Sequence, residues 1–304
     1  MHLALVGPTA SGKSAVALAA AHALRDVEIV SIDSMQVYRG LDIGTAKPSA
    51  AERAAVPHHL VDVAEPDDEW SVARFQREAR AAIAAIETRG KRALLVGGTG
   101  LYMEAVVDRL EFPPRDAEVR VALEADTGDA PGLARAFAEL QRVDPAAARR
   151  IEPGNRRRIV RALEVLRITG RPFSSFGPGV HTTGPPVVEV AMAGIWLPRP
   201  VLGQRIEERV TAMLDAGLVD EVRRLDTRLS RSRTARQAIG YAEVLEHLRG
   251  ELSLDDAAAA IADRTRSFAR RQRMWFRRDP RITWVAVSRN PCESLPALLA
   301  RWSA

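Results

Sequence analysis

Along the first hundred residues, short runs in which nearly every position is apolar alternate with longer runs whose apolar positions recur every three or four residues. The runs at 3–6, 27–32 and 92–96 are of the first kind and predict strands buried on both faces. Residues 14–24 and 72–87 are of the second kind and predict helices between those strands. This alternation predicts an α/β domain built on a parallel sheet. Beyond it the texture changes. From about 113 to 186 no strand pattern appears. Helical spacing recurs at 118–124, 133–143 and 156–169, and a stretch rich in Gly, Pro, Ser and Thr follows from 170 to 186. Two further strand-like runs come late, at 188–197 and 282–287, in a region that otherwise reads as helical. The pattern predicts a core domain of residues 1–112 and 187–304. A helical insertion of residues 113–186 interrupts it, bracketed by Pro113-Pro114 and Pro185-Pro186.

Composition narrows the chemistry. Cys292 is the only cysteine in 304 residues, which excludes disulfides within the chain and cysteine-rich zinc sites. A reducing cytoplasm suits that usage. No basic start followed by an apolar run is present, so no secretory signal is expected, and no stretch reaches membrane-spanning length. The net charge of +5 hints at an acidic partner. Lys13, Lys47 and Lys91 are the only lysines, however, so nearly all of the 44 basic residues are arginine, and the accompanying alanine richness points to codon bias. Where arginines cluster is therefore more informative than how many there are. One cluster holds Arg156, Arg157, Arg158 and Arg161; another runs from Arg264 to Arg281. On a helix Arg266, Arg270, Arg273 and Arg277 share a face, while Ile261, Phe268 and Trp275 share another. One side is expected to pack and the other to meet solvent or an anion.

The first predicted strand runs into Gly7-Pro8-Thr9-Ala10-Ser11-Gly12-Lys13-Ser14, and a predicted helix follows at once. Glycines at these positions let successive backbone N–H groups curl around a phosphate, and the helix N-terminus adds partial positive charge. Lys13 is placed to reach phosphate oxygens, and the Ser14 hydroxyl to ligate Mg²⁺. A nucleoside triphosphatase built on such a loop also needs an acid at the end of an apolar strand. The strand at 92–96 ends in Gly97-Gly98-Thr99-Gly100 instead. The candidate acid is Asp33, which closes the second strand and projects toward the same crevice, as a metal partner, a general base or a strand-end cap.

The residues after Asp33 read Ser34-Met35-Gln36-Val37-Tyr38-Arg39-Gly40-Leu41-Asp42-Ile43-Gly44-Thr45-Ala46-Lys47-Pro48. Together with Pro57-His58-His59-Leu60, Leu95–Tyr102, Ala238-Ile239-Gly240-Tyr241 and the stretches 155–166, 206–218 and 264–275, this closely resembles the bacterial tRNA dimethylallyltransferases over essentially the whole chain. The resemblance implies a P-loop NTPase-like, nucleotide-kinase-like core. It implies transfer of the five-carbon group of dimethylallyl diphosphate to N6 of the adenosine on the 3′ side of the anticodon, with Mg²⁺ and release of diphosphate. The phosphate loop, residues Gly7 to Ser14, would then hold a leaving group. Asp33 would be the general base, with Thr9 beside the reacting groups.

By the same resemblance Asp33, Ser34, Met35 and Gln36 line a channel for a flipped base, with Gln36 the side chain suited to a base edge. Met35 or Tyr38 could stack on that base or belong to the core. Thr99, Arg120, Arg157, Arg158, Arg161, Arg266, Arg270 and Arg271 are expected at the tRNA anticodon stem-loop. Where relatives carry Arg or Gln before the Ala-Ile-Gly-Tyr motif, this chain has Arg236-Gln237, and either could touch the diphosphate. The eukaryotic type of C-terminal zinc module has no counterpart here. A monomer is expected. Three other functions fit parts of the pattern: a small-molecule kinase, prenyl transfer to a free adenine nucleotide, and a non-catalytic RNA-binding module. The last leaves Thr9, Lys13 and Asp33 unexplained.

Overall fold

The computed structural model describes residues 1–176, 180 and 184–303. Six strands form one sheet: β1 (His2–Val6), β2 (Val27–Ile32), β3 (His58–His59), β4 (Arg92–Gly97), β5 (Val190–Trp196) and β6 (Thr283–Ala286). Their order is β3-β2-β4-β1-β5-β6, and every pair is parallel. This is a P-loop NTPase-like α/β fold with the loop-bearing strand inside the sheet. All residues of β1 and β2 are buried, which is why their sequences are apolar at nearly every position and do not alternate.

Helix α1 (Lys13–Leu24) carries the chain from β1 outward to β2. The short α2 (Ala50–Ala55) precedes β3, and α3 (Val72–Glu87) brings the chain back to β4. These two crossovers run in opposite directions along the sheet, so right-handed connections put α1 and α3 on opposite faces. After β4 comes α4 (Gly100–Val107). The second part of the core supplies α9 (Arg199–Asp215), α10 (Leu218–Arg231), α11 (Tyr241–Leu248), the long α12 (Leu254–Phe276) and α13 (Leu295–Ser303). The strands β5 and β6 are slightly shorter than the apolar runs that announce them. The residues just before β5 turn instead to the end of α4, where Val187 and Val188 N–H donate to the Val107 carbonyl.

The chain divides into two compact units, Met1–Asp108 with Pro186–Ala304, and Arg109–Pro185. On the core side of the division, Asp108 is held by the two terminal guanidinium nitrogens of Arg281, at 2.6 and 2.8 Å.

The insertion is helical among its described residues: α5 (Ala117–Asp126), α6 (Ala130–Val143), α7 (Pro145–Ala148) and α8 (Arg156–Thr169). It has its own core around Leu123, Leu140, Ile159 and Leu163. Side-chain caps start its helices, with Asp116, Asp129 and Asn155 accepting from backbone N–H groups of the first turn. The loop expected at 170–186 falls in part on residues 177–179 and 181–183, which lie outside the described residues.

Candidate active site

The phosphate loop forms because β1 ends below it and two residues take left-handed backbone conformations. Ala10 has φ 60° and Gly12 has φ 78°. Ser11 N–H closes a turn onto the Pro8 carbonyl at 3.3 Å. Lys13 then opens α1, whose first turn holds no acidic residue, so the partial positive charge of the helix end is available to an anion. Lys13 Nζ donates to the Pro8 carbonyl at 3.3 Å. Burial brings its pKa down to about 8, offset in part by the Asp33 charge and reinforced by the Arg209 charge.

Helix α9 supports this loop from outside. Arg205 Nε donates to the Ala10 carbonyl at 2.9 Å, and Arg209 donates to Thr9 Oγ1 at 3.1 Å. Burial pushes the Arg209 guanidinium below its usual pKa, while Asp33 pulls it up. Nothing in the pattern of apolar and polar residues along the chain singled out Arg205, Arg209 or Gln272. Gln272 accepts from Thr9 N–H at 2.8 Å. A lone amide inside an arginine-rich helix was the available signal for Gln272.

Asp33 follows β2 directly, at the carboxyl end of the sheet. Its Oδ1 accepts from the N–H groups of Met35, at 2.8 Å, and Gln36, at 3.3 Å. The two bonds set the carboxylate's orientation and leave Oδ2 without a hydrogen-bond partner among the described residues. Part of the unusual run after Asp33 is itself held in place by buried polar contacts. Lys47 is almost fully buried and donates to the Tyr38 carbonyl, Asp42 and Asp62. Glu221 on α10 accepts from the N–H groups of Asp42, Ile43 and Gly44. Tyr38 is fully buried and belongs to the core; Met35 packs against the core yet lines a cavity.

Gln36 is engaged differently from the expectation. Its Nε2 donates to the carbonyls of Thr45 and Ala46, both at 3.2 Å, and its Oε1 accepts from Ser31 Oγ at 2.8 Å. A bidentate contact to a base edge would have to break these bonds, because the amide already supports the 45–46 turn.

Two cavities meet at Thr9, Asp33, Thr45, Arg209 and Phe268, which line both. One, of about 310 Å³, is walled by Lys13, Ser14, Gly97 and Gln272. The other, of about 390 Å³, is walled by Ser34, Met35 and Thr99, by Arg264 and Arg271 of α12, and by apolar residues that include Ile206, Val210 and Ile261. Gln237 lines this second cavity and Arg236 does not.

The arginines divide into two kinds. Arg271 reaches the second cavity, with its guanidinium 5.9 Å from the Phe268 ring centre, while Arg270 is exposed. Arg266 is paired with Glu207 at 3.0 Å and Asp263 at 2.7 Å. On the same face of α12, Arg273 stacks on Trp196 at 3.7 Å. Within the insertion Arg157 and Arg158 are exposed at the start of α8. Arg161 and Arg120 instead surround the buried Glu164: Arg161 at 2.8 Å, Arg120 at 3.6 Å. Arg161 also donates to the carbonyls of Pro113 and Pro114. Both are therefore at least partly structural, since an unpaired buried carboxylate is costly.

Among the described residues no group of three or more His, Cys, Asp or Glu could hold a metal alone. The site nevertheless fits Mg²⁺, which keeps several waters and leans on substrate phosphates with one or two protein ligands. Ser14 supplies such a hydroxyl on the wall shared with Lys13.

A family model described as IPP transferase matches residues 36–279, and one described as isopentenyl transferase matches residues 1–60. The chain is 52% identical to a tRNA dimethylallyltransferase of Nocardioides over 93% of its length and 90% of that protein. It is 50% identical to one from Kineococcus radiotolerans over 98% and 94%. The solved tRNA isopentenylpyrophosphate transferase of Bacillus halodurans superposes with a TM-score of 0.71 at 38% identity, covering 99% of this chain and 95% of that one. A eukaryotic dimethylallyltransferase acting on tRNA superposes at 0.79 with 26% identity, covering 94% and 73%. Among the described residues no helix is long and apolar enough to cross a membrane. On both sequence and fold, the chain belongs to the IPP transferase family, that of the tRNA dimethylallyltransferases.

Proposed function

We infer that the chain transfers the dimethylallyl group of dimethylallyl diphosphate to N6 of the adenosine on the 3′ side of a tRNA anticodon. As a member of its family it is a prenyltransferase that modifies tRNA. The observation that supports the detailed reading is the meeting of two cavities at Thr9 and Asp33. The cavity with Lys13, Ser14 and the phosphate loop takes the diphosphate. The cavity with Ser34, Met35, Thr99 and Arg271 takes an adenine turned out of the anticodon loop, as base-modifying enzymes require. Both are complete within one chain, so a monomer suffices.

The transfer balances with groups present in this site. The allylic C–O bond breaks and its electrons pass to the diphosphate oxygen. Loop N–H groups and Lys13 meet that growing negative charge in place. The N6 lone pair forms the new C–N bond, and its proton goes to Asp33 Oδ2 as the bond forms. Arg209 orients the Thr9 hydroxyl between the two reactants. Ser14 would hold Mg²⁺ together with the bound diphosphate, and the ion would supply charge neutralisation for the leaving group. The exposed Arg157, Arg158 and Arg270, with Arg271, bind RNA phosphates and set orientation without reading sequence. A tRNA substrate also assigns the protein to the cytoplasm.

The reading is tested with two labels on one donor. Dimethylallyl diphosphate carrying ¹⁴C in its prenyl group and ³²P in its diphosphate is incubated with unmodified tRNA and Mg²⁺. Carbon label should appear in a digested adenosine nucleoside while all phosphorus label is released as diphosphate. Label transfer from γ-³²P ATP in its place would make the chain a kinase.

A further inference from the structure

Helix α12 holds one buried amide in a stretch otherwise dominated by arginine. Gln272 is only 6% exposed. Its Oε1 accepts from Thr9 N–H at 2.8 Å, and its Nε2 donates to the Gly98 carbonyl at 2.9 Å. A Cβ on Gly98 would lie 2.2 Å from that Nε2, so this placement of the amide needs glycine at 98. One side chain thus ties the phosphate loop at Thr9 to the turn that delivers Thr99 to the second cavity. These segments are far apart in sequence and belong to different strand ends, β1 and β4. The bond to Gly98 is buried, so losing the amide leaves that carbonyl unsatisfied.

We propose that Gln272 is a positioning residue for prenyl transfer, holding Thr9 on the diphosphate side in register with Thr99 on the acceptor side. The proposal rests on the function given above. Transfer between two bound reactants depends on their alignment, and a misplacement of about 1 Å can cost about a hundredfold in rate. Gln272 acts on that alignment through Thr9 and the 98–99 turn. The helix that carries it also presents Arg264, Phe268 and Arg271 to the acceptor cavity. A base seated against α12 is therefore set relative to the phosphate loop by this one amide.

The test compares Gln272→Met, which keeps the size and loses both bonds, with Gln272→Glu, which keeps the acceptor for Thr9 and loses the donor to Gly98. Single-turnover transfer is measured with both substrates saturating, alongside KM for each substrate and thermal unfolding. The expected result is a rate lowered by about a hundredfold in Gln272→Met and by a smaller factor in Gln272→Glu. Both KM values stay within about threefold and Tm changes by a few degrees at most. A Gln272→Met rate within threefold of wild type overturns the proposal. So does a rate loss that follows a loss of folded protein, since that is what a purely structural contact gives. If Gln272→Met does not fold, Gln272→Glu decides by the same criteria. A wild-type chain that transfers nothing overturns the function itself, an outcome distinct from active wild type with unimpaired variants.

Discussion

Asp33→Asn lowers the single-turnover rate of prenyl transfer by about a thousandfold, within the range a positioned general base contributes, while the Kd for tRNA stays within threefold. The substitution is chosen from the geometry. Oδ1 accepts from Met35 and Gln36 N–H groups, and an asparagine oxygen can keep both bonds and the turn. What changes is the free oxygen, replaced by an amide nitrogen that cannot take a proton from N6. Asp33→Ala should be equally inactive but also loosens the turn, so it is the less informative variant. The Asp33 charge also supports protonation of Lys13 and Arg209. The comparison is therefore made near pH 7, where Lys13 is mostly charged in the wild type. Turnover of Asp33→Asn within tenfold of wild type would remove the base role.

Lys13→Met should weaken diphosphate binding by about a hundredfold, the size of effect expected when one partner of a desolvated charge pair is removed. It should also stabilise the ligand-free protein at neutral pH. The second effect follows from the sign of the pKa shift. Burial lowers Lys13 from 10.5 to about 8 in the folded chain, so the folded state holds its proton less tightly than the unfolded state. Below about pH 8 the charged, buried ammonium costs stability. That cost disappears as pH rises through the interval from about 8 to the unfolded value. Methionine removes it, and Tm measured at pH 7 should rise by a few degrees. A bound diphosphate restores a high pKa, so above pH 8 binding must take up a proton. Wild-type affinity for inorganic diphosphate should then fall with rising pH, and Lys13→Met should lose this pH dependence. Calorimetry at pH 7 and pH 9 reads both. An unchanged affinity in Lys13→Met would remove Lys13 from the diphosphate site, and a lower Tm would contradict the desolvation argument.

Both residues were legible because their signals are local. A glycine loop between a buried strand and a helix, and an acid closing the next strand, are patterns within a few positions. The parallel sheet was legible for the same reason, in β1, β2 and β4. Arg209 and Gln272 were not, because they meet Thr9 from helices 200 and 263 residues further along the chain. No spacing rule connects positions so distant. Arg120 and Arg161 carry a structural role that the sequence does not show, because their partner, Glu164, is buried only once α5 and α8 have packed. Gln36 reads as a base-edge side chain until its own motif folds back and engages its amide. The run from 33 to 48 mixes residues that line the two cavities, such as Ser34 and Thr45, with core residues such as Tyr38, and sequence alone shows no division between them.

The central claim is that diphosphate and RNA occupy separate cavities that meet at Thr9 and Asp33. Equilibrium binding of a fluorescent anticodon stem-loop, with and without saturating inorganic diphosphate and Mg²⁺, tests it most directly. The predicted result is simultaneous occupancy: RNA affinity within threefold of the diphosphate-free value, while the same diphosphate displaces dimethylallyl diphosphate. Displacement of the RNA by diphosphate would contradict the account, because both would then be competing for one site.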